Sequence, residues 1–522
     1  MSETNRKGLL VAVMLWIVII SVIGAGVKIW LFPKMKVKLE KQTSSDTHYA
    51  KGTITCAADS FSGYAIVRSD AMRDSLKSQG IKWVVQDDQA DYQARIKALR
   101  DGDIQFAVFT VDSFIAAGAA LNEYPGTIVM VIDESKGADA IVAYGSAISG
   151  LPDLNHPETK IVLTPNSPSE FLARIVMSHF SVNIPEDRWI KANGSGDVYK
   201  KFRAADASDK LAFVMWEPDV SRALEQSGVK DLLNSSKLEG YIVDVLVVGR
   251  KFLRDKPEQV SEVVEAYLRA SYGYQQQPDS MVSLVTKDAK SNGQSLKTDQ
   301  AKKLVSSIAW KNTMENYAHF GLLTGQEAKG LPSLEDVIAN ISKVLAQTGA
   351  LSSNPIAGKE TSLFYDKILS DLKDKNFHPG RVVAIAGMGD SNLEAIRGVE
   401  DLPALAEDQW SQLISVGQLR VKPITFGRGK ALLTIQGQRD LDELIGNLKA
   451  WPSYYLKITG HASARGDMDA NIALAQSRAD AVAEYLYSGG VSPTRVKSMA
   501  SKPSGEGTES LSVTFILGQL PY

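Results

Sequence analysis

A chain of 522 residues exceeds what one hydrophobic core serves, so two to four domains are expected. Its hydrophobic share of 44% and charged share of 23% are those of ordinary globular protein, which argues against a disordered chain. A net charge of −2 offers no basic field for nucleic acid, and the single cysteine, Cys56, excludes both an internal disulfide framework and a multi-cysteine zinc site.

In chain order, residues 1–7 read as a cytoplasmic tail and 8–32 as a transmembrane anchor. Gly8 to Val27 carries no charge, and about twenty residues at about 1.5 Å each span roughly 30 Å, a bilayer core. A signal peptide has a shorter apolar stretch of about 7–15 residues; the small triplet Gly24-Ala25-Gly26 keeps cleavage as the alternative. Lys28, Lys34, Lys36, Lys38 and Lys41 follow the segment, whereas only Arg6 and Lys7 precede it closely. That count alone would put the far side in the cytoplasm; the envelope-type domains argued below favour the opposite orientation. Without an ionisable residue the segment reads as a tether rather than an ion path. Residues 33–50 are polar and basic, a stalk.

Regular structure begins at TITCAAD, a strand followed by the turn Asp59 to Tyr64 and a helix. IKWVVQDD reads as a strand, YQARIKALRDGD as a helix with Ile96 and Leu99 on one face, and IQFAVFTVDSF as a strand entering a helix. TIVMVID and DAIVAY follow as strands. A second α/β run starts at KIVLTPNSPSEFLARIVMSHF and repeats at LAFVMWEPDVSRALEQSG. YIVDVLVVGRKFL is a long apolar run, EQVSEVVEAYLRASYGY is helical, and 280–375 is mostly helical and polar. This alternation predicts α/β sheets. Residues 376–411 form a connector that contains the strand VVAIAGMGDSN. From about 412 a last α+β domain appears. QLRVKPITF reads as a strand. A helix follows with Leu441, Leu444, Ile445 and Leu448 at i, i+3, i+4 and i+7. YYLKITGHAS is a strand and SLSVTFIL a terminal strand alternating Leu511, Val513, Phe515 and Leu517. Between these two lies a helix with Ile472, Ala475, Ala479, Val482 and Leu486 at helical spacing, Asp469 as its N-cap and Gly489-Gly490 as its stop.

Two resemblances rest on these pieces. AADSFSGYAIVRS, RIKALRDGDIQFAVFTVDSFI, VLTPNSPSEFLARI, AFVMWEPDVSRAL and YIVDVLVVGRKFLRDKPEQVSEVVEAYLRA occur in the order of periplasmic substrate-binding proteins of the nitrate, sulfonate and thiamine-precursor group. Residues 51–375 resemble that group, which implies a two-lobed α/β fold closing on a solute. Gly460-His461-Ala462-Ser463, Asn471 and Arg478-Ala479 resemble the OmpA-like peptidoglycan-binding domain, over 412–522. In that family an aspartate engages the ammonium of the wall peptide and an arginine its carboxylate. Arg478 keeps the second role. Ser463 stands where the aspartate would be, and Glu509-Ser510 replaces an arginine pair. Asp467 or Asp469 is the substitute anion in the same loop; the alternative is a fold kept for protein contacts.

Open α/β sheets bind ligands beyond the carboxyl ends of their strands, where helix N-termini present free N–H groups. The candidate ligand-binding residues are therefore Ser60, Gly63, Tyr64, Thr110, Asp112, Asn166, Ser167, Trp216 and Glu217. Tyr64 and Trp216 suit a flat or cationic ligand, and Asp112 and Glu217 a cation or hydroxyl; each also serves as a cap or packed ring in the plainer reading. Ser463, Asn471 and Arg478 are the candidate wall residues. Gly387-Met388-Gly389 and Gly194-Ser195-Gly196 lack the spacing of phosphate loops and read as turns. No catalytic triad, metal site or cofactor is expected. The expected partners are an anionic or polar solute, peptidoglycan, the membrane, and an ABC permease or another envelope protein. The function expected is that of an inner-membrane, single-pass, non-enzymatic solute binder with its bulk in the periplasm. A transport receptor and an assembly scaffold with a dead cleft are the alternatives. Alkaline phosphatase fused after residue 350 should be active in cells; an inactive fusion beside an active cytoplasmic reporter would reverse the topology.

Overall fold

The computed structural model describes residues 49–323, 325–328, 330–381, 394–397, 402–419, 421–503 and 511–520. The expected tail, anchor, most of the stalk, the strand VVAIAGMGDSN and Glu509-Ser510 lie outside the described residues. Among the described residues no helix is long and apolar enough to cross a membrane.

The described residues divide into a small unit, 49–54 with 73–84, and a large one that holds 55–72 and the described residues from 85 onward. In the small unit the Lys51 N–H donates to the Gly80 carbonyl at 2.9 Å. The large unit contains two α/β lobes and a C-terminal α/β module. The first sheet runs β11-β4-β10-β3-β1-β2. Its strands are β1 (Gly52–Ala58), β2 (Ile81–Asp87), β3 (Phe106–Thr110), β4 (Gly126–Ser135), β10 (Val243–Gly249) and β11 (Ile308–Trp310). The second runs β7-β6-β8-β5-β9. It contains β5 (Asp139–Tyr144), β6 (Lys160–Leu163), β7 (Trp189–Lys191), β8 (Leu211–Trp216) and β9 (Val229–Asn234). The two-lobed α/β expectation holds. β7, β9 and β11 are additional to the sequence reading; β7 and β11 are only three residues each and show no alternation to read.

The chain passes between lobes twice, at 136–138 and 235–242, and both passages are tied at one point. Ser235, fully buried, bonds Ser135 Oγ at 2.6 Å and accepts from the N–H groups of Gly137 (2.8 Å) and Asp139 (3.2 Å). A buried hydroxyl so used satisfies backbone donors where neither sheet continues. β3, β4, β5 and β10 are buried almost throughout, because helices cover their faces. This makes them continuous apolar runs rather than alternating ones. Cys56 is part of this core, and burial pushes its thiol up to about 12.

The C-terminal module has the sheet order β12-β16-β14-β15, with β13 also on β16. Its strands are β12 (Ile414–Gln418), β13 (Ile424–Thr425), β14 (Tyr455–Gly460), β15 (Val496–Ala500) and β16 (Ser512–Gln519). The helices Ile435–Ala450 and Met468–Ser488 pack on it. Leu441, Leu444, Ile445 and Leu448 are buried, as their spacing predicts, as are Val513, Phe515 and Leu517.

Three local expectations are corrected. QLRVKPITF is not one strand: pairing stops at Gln418 and resumes at Ile424, directly after Pro423, which has no N–H to donate. The N-cap of the long helix is Asp467, whose carboxylate accepts from the Ala470 N–H at 2.8 Å. Asp469 lies inside the first turn, where an acid still complements the helix dipole. Ile472 is exposed, while Ala475, Ala479, Val482 and Leu486 are buried. Gly460 is required where this helix meets the sheet: a Cβ there would lie 1.9 Å from the Ala475 carbonyl oxygen.

The module is seated on the second lobe through Trp451. Its fully buried ring lies edge-on to His179 and Phe180 at 5.4 and 5.1 Å and stacks on Tyr454 at 5.7 Å. The Glu239 N–H donates to the Ala450 carbonyl at 3.0 Å.

Candidate functional site

The cleft between the lobes is built on strand ends. After β1 the Asp59 carboxylate accepts from the Phe61 N–H at 3.0 Å, which turns the chain into a short buried 3-10 helix, Ser62–Ala65. That turn places Tyr64, whose hydroxyl donates to Asp244 on β10. Cross-strand pairing puts Thr110 and Asp133 on either side of Asp244. In the second lobe, Asp139 at the start of β5 pairs with Trp216 at the end of β8.

A cavity lies between these surfaces. Its lining includes Asp59, Tyr64, Tyr92, Thr110 and Asp244 from the first lobe and Asp139 and Trp216 from the second. It encloses about 10 Å³, room for a single water, so the lobes are closed on each other. Two larger hollows, of about 710 and 650 Å³, lie along the C-terminal module and receive side chains from both it and the lobes.

Charge in the cleft is one-sided. Arg95 reaches Asp59 at 3.2 Å, but it also holds Asp88 through two nitrogens and its guanidinium lies 4.6 Å from the Tyr92 ring centre. Arg68 is bound to Asp288 at 2.6 and 2.7 Å. Asp139 Oδ1 and Asp112 Oδ1 are buried without a hydrogen-bond partner, while Asp133 shares a hydrogen bond with its cross-strand neighbour Asp244. Burial pushes the carboxyls of Asp112, Asp133 and Asp139 up to about 7. Burial, and then the neighbouring Asp133, raises Asp244 well above the ordinary carboxylate range.

Of the residues singled out by sequence, Tyr64, Thr110 and Trp216 line the cavity. Gly63 lies behind it; a Cβ there would meet the Phe61 ring at 2.3 Å and Asp133 Oδ2 at 2.6 Å. Ser60, Asp112, Asn166, Ser167 and Glu217 are outside the lining. Asn166 takes a positive φ of 54° and its N–H donates to Glu170 at 2.8 Å. Ser167 caps the helix Pro168–His179. Glu217 accepts from Ser221 Oγ (2.6 Å) and its N–H (3.0 Å), capping the next helix; burial pushes it up to about 7. Sequence reading did not single out Asp59, Tyr92, Asp139 and Asp244. The signal for Asp244 was present: an acid inside YIVDVLVVG has no reason to be buried in an apolar strand unless it has a task.

In the C-terminal module, His461 Nε2 and Nδ1 lie 2.9 Å from Thr514 Oγ1 and Ser501 Oγ. Ser463 Oγ accepts from the Arg465 N–H at 3.1 Å, and the Asn471 amide donates to the Arg465 carbonyl at 2.8 Å. Arg478 is fully buried. Its guanidinium donates to the carbonyls of Lys430 (3.0 Å), His461 (2.8 Å) and Gly427 (3.2 Å). Ser463, Asn471 and Arg478 are thus gathered around one loop, with Arg478 beneath it.

Residues 425–510 match the OmpA family. This OmpA-like module is also 34% identical over 77 residues to the peptidoglycan-associated lipoprotein of Brucella melitensis, which is 15% of this chain and 46% of that protein. The chain therefore spans about half the length of the curated relative it matches. The lobes are similar to solved structures of periplasmic binding proteins. The aliphatic sulphonate binding protein SsuA of Escherichia coli is 15% identical, with 65% of this chain and 98% of that one covered at a TM-score of 0.45. For the nitrate-binding protein NrtA of Synechocystis PCC 6803 the values are 11%, 62%, 88% and 0.46.

The carboxyls give a pH dependence. Asp139, Asp112 and Glu217 ionise near 4 in an unfolded chain and near 7 in the fold. Their contribution to stability is therefore fully present below about pH 4 and is lost as pH rises through about 7. In the empty full chain, Asp139→Asn should match the parent's melting temperature at low pH and exceed it by a few degrees at pH 8. At this size each ~1 kcal/mol shifts the midpoint by about 1–2 °C. A parent–variant difference that stays constant from pH 5 to 8 contradicts the assignment.

Proposed function

We propose that the chain is a cell-envelope protein that binds a small polar solute between its two lobes and is held at the wall or to an envelope partner by its OmpA-like module. In this reading residues 1–7 are cytoplasmic, 8–32 anchor the chain in the inner membrane, 51–375 carry the solute and 412–522 make the envelope contact. The protein is a non-enzymatic binder, with or without an ABC permease to receive the solute. The observation that carries the reading is the cavity lined from both lobes, with a buried Asp139 oxygen left unpaired in it. An unpaired buried acceptor costs about 1–3 kcal/mol, which a bound solute would remove. The small cavity favours a second reading, a scaffold whose cleft stays shut. Native mass spectrometry of the full chain separates them: a small molecule released on unfolding, and lost from Trp216→Ala, supports solute binding. A chain that is always empty, and gains no thermal stability from any added solute, supports the scaffold.

At the wall, Arg478 supplies the cation for a peptide carboxylate and Asn471 orders the loop, but Ser463 offers a hydrogen bond and no anion to an ammonium. The carboxylate must also compete with the three carbonyls that Arg478 already holds. Binding is therefore weak in this reading. A hydrogen bond to a charged group is worth about 1.5–3 kcal/mol, so Ser463→Asp should raise the affinity of the full chain for purified peptidoglycan about tenfold in a sedimentation assay. If neither parent nor Ser463→Asp sediments, the module contacts a protein instead.

A further inference from the structure

The cleft's walls specify more than polarity. Three of its lining residues are carboxylates, Asp59, Asp139 and Asp244, and no lysine, arginine or histidine is among them. The remaining walls are largely aromatic: Phe61 and Tyr64, edge to face at 5.2 Å, with Tyr92 and Trp216. Asp59 is served by Arg95 and Asp244 by the Tyr64 hydroxyl. Asp139 is 2% exposed, and its Oδ1 has no partner. Asp133, fully buried behind Gly63, shares a hydrogen bond with Asp244.

We infer that the cleft selects an organic cation, an ammonium or amidinium group on a compact apolar body, with Asp139 as its counter-ion and Trp216 and the tyrosines as its walls. An anion would enter beside three acidic side chains, where the guanidinium of Arg95 is already held by Asp59 and Asp88, at close range in a low dielectric. A cation gains the unpaired Asp139 Oδ1 and the faces of the rings together. Asp139 and Trp216 lie side by side on β5 and β8, so one ligand head reaches both. With room for one water in the closed form, entry requires the lobes to part about the two passages tied by Ser235.

This inference rests on the solute-binding reading, and one titration separates the two. The full chain is titrated calorimetrically with choline, putrescine and benzamidine, then with 3,3-dimethylbutan-1-ol, the uncharged isostere of choline, and with methanesulfonate. Binding of at least one cation, more than tenfold tighter than the alcohol and the sulfonate, is the expected result. It should weaken at least tenfold in Asp139→Asn while the melting temperature of the empty variant is equal or higher. Binding of methanesulfonate or the alcohol as tightly as any cation overturns the charge assignment and leaves the solute-binding reading standing. Cation binding unchanged in Asp139→Asn overturns the role of Asp139. No binding of any probe, in a chain that also purifies empty, overturns both.

Discussion

Unbalanced buried charge is the constraint on which this cleft depends. Asp133, Asp139 and Asp244 lie within or directly behind a space the size of one water, and the guanidinium of Arg95 is already divided between Asp59 and Asp88. Isolated carboxylates are not tolerated ionised in such a medium; they take up protons until something else neutralises them. The raised carboxyls are the direct expression of that cost. The closed, empty form therefore carries a protonated cleft, and a cation admitted when the lobes part is the alternative way to neutralise it. Stability is spent at the point where recognition would occur, as it commonly is at binding sites.

The rest of the architecture keeps that space in place. Ser235 joins both inter-lobe passages through a single hydroxyl, so the two strands leave each sheet at fixed positions. The helix Leu334–Gln347 packs against helices of both lobes, and Arg174 of the second lobe donates to the Thr348 carbonyl at its end at 2.6 Å. The OmpA-like module is seated through Trp451 against the second lobe at His179 and Phe180, and through Ala450 against Glu239 of an inter-lobe passage. An exposed Lys343–Glu443 pair at 3.0 Å adds little to this seat, since solvent screens it.

Much of this was legible in the sequence because the signals were local. Alternation of strand and helix located both lobes, and the spacing of Leu441, Leu444, Ile445 and Leu448 located a buried helix face. The turn residues Tyr64, Thr110 and Trp216 were found because strand ends are where such folds meet ligands. What was hidden is tertiary. Asp139 looks like a polar residue at the edge of a strand, and only the pairing with Trp216 brings it into the cleft. Asn166, Ser167 and Glu217 carry the right chemistry at the right turns, yet their hydrogen bonds serve backbone and caps. Arg478 likewise reads as a ligand arginine, while its burial under the carbonyls of Gly427 and Lys430 depends on a loop some fifty residues earlier.

The most direct test of the account is the ionisation of Asp139 itself. Infrared difference spectra between the full chain and Asp139→Asn isolate its carboxyl stretch, which can be followed from pH 4 to 9. The account predicts a protonated band that converts to carboxylate near pH 7. A group already ionised at pH 4–5 in the empty protein would contradict it, because a compensating charge would then already occupy the cleft.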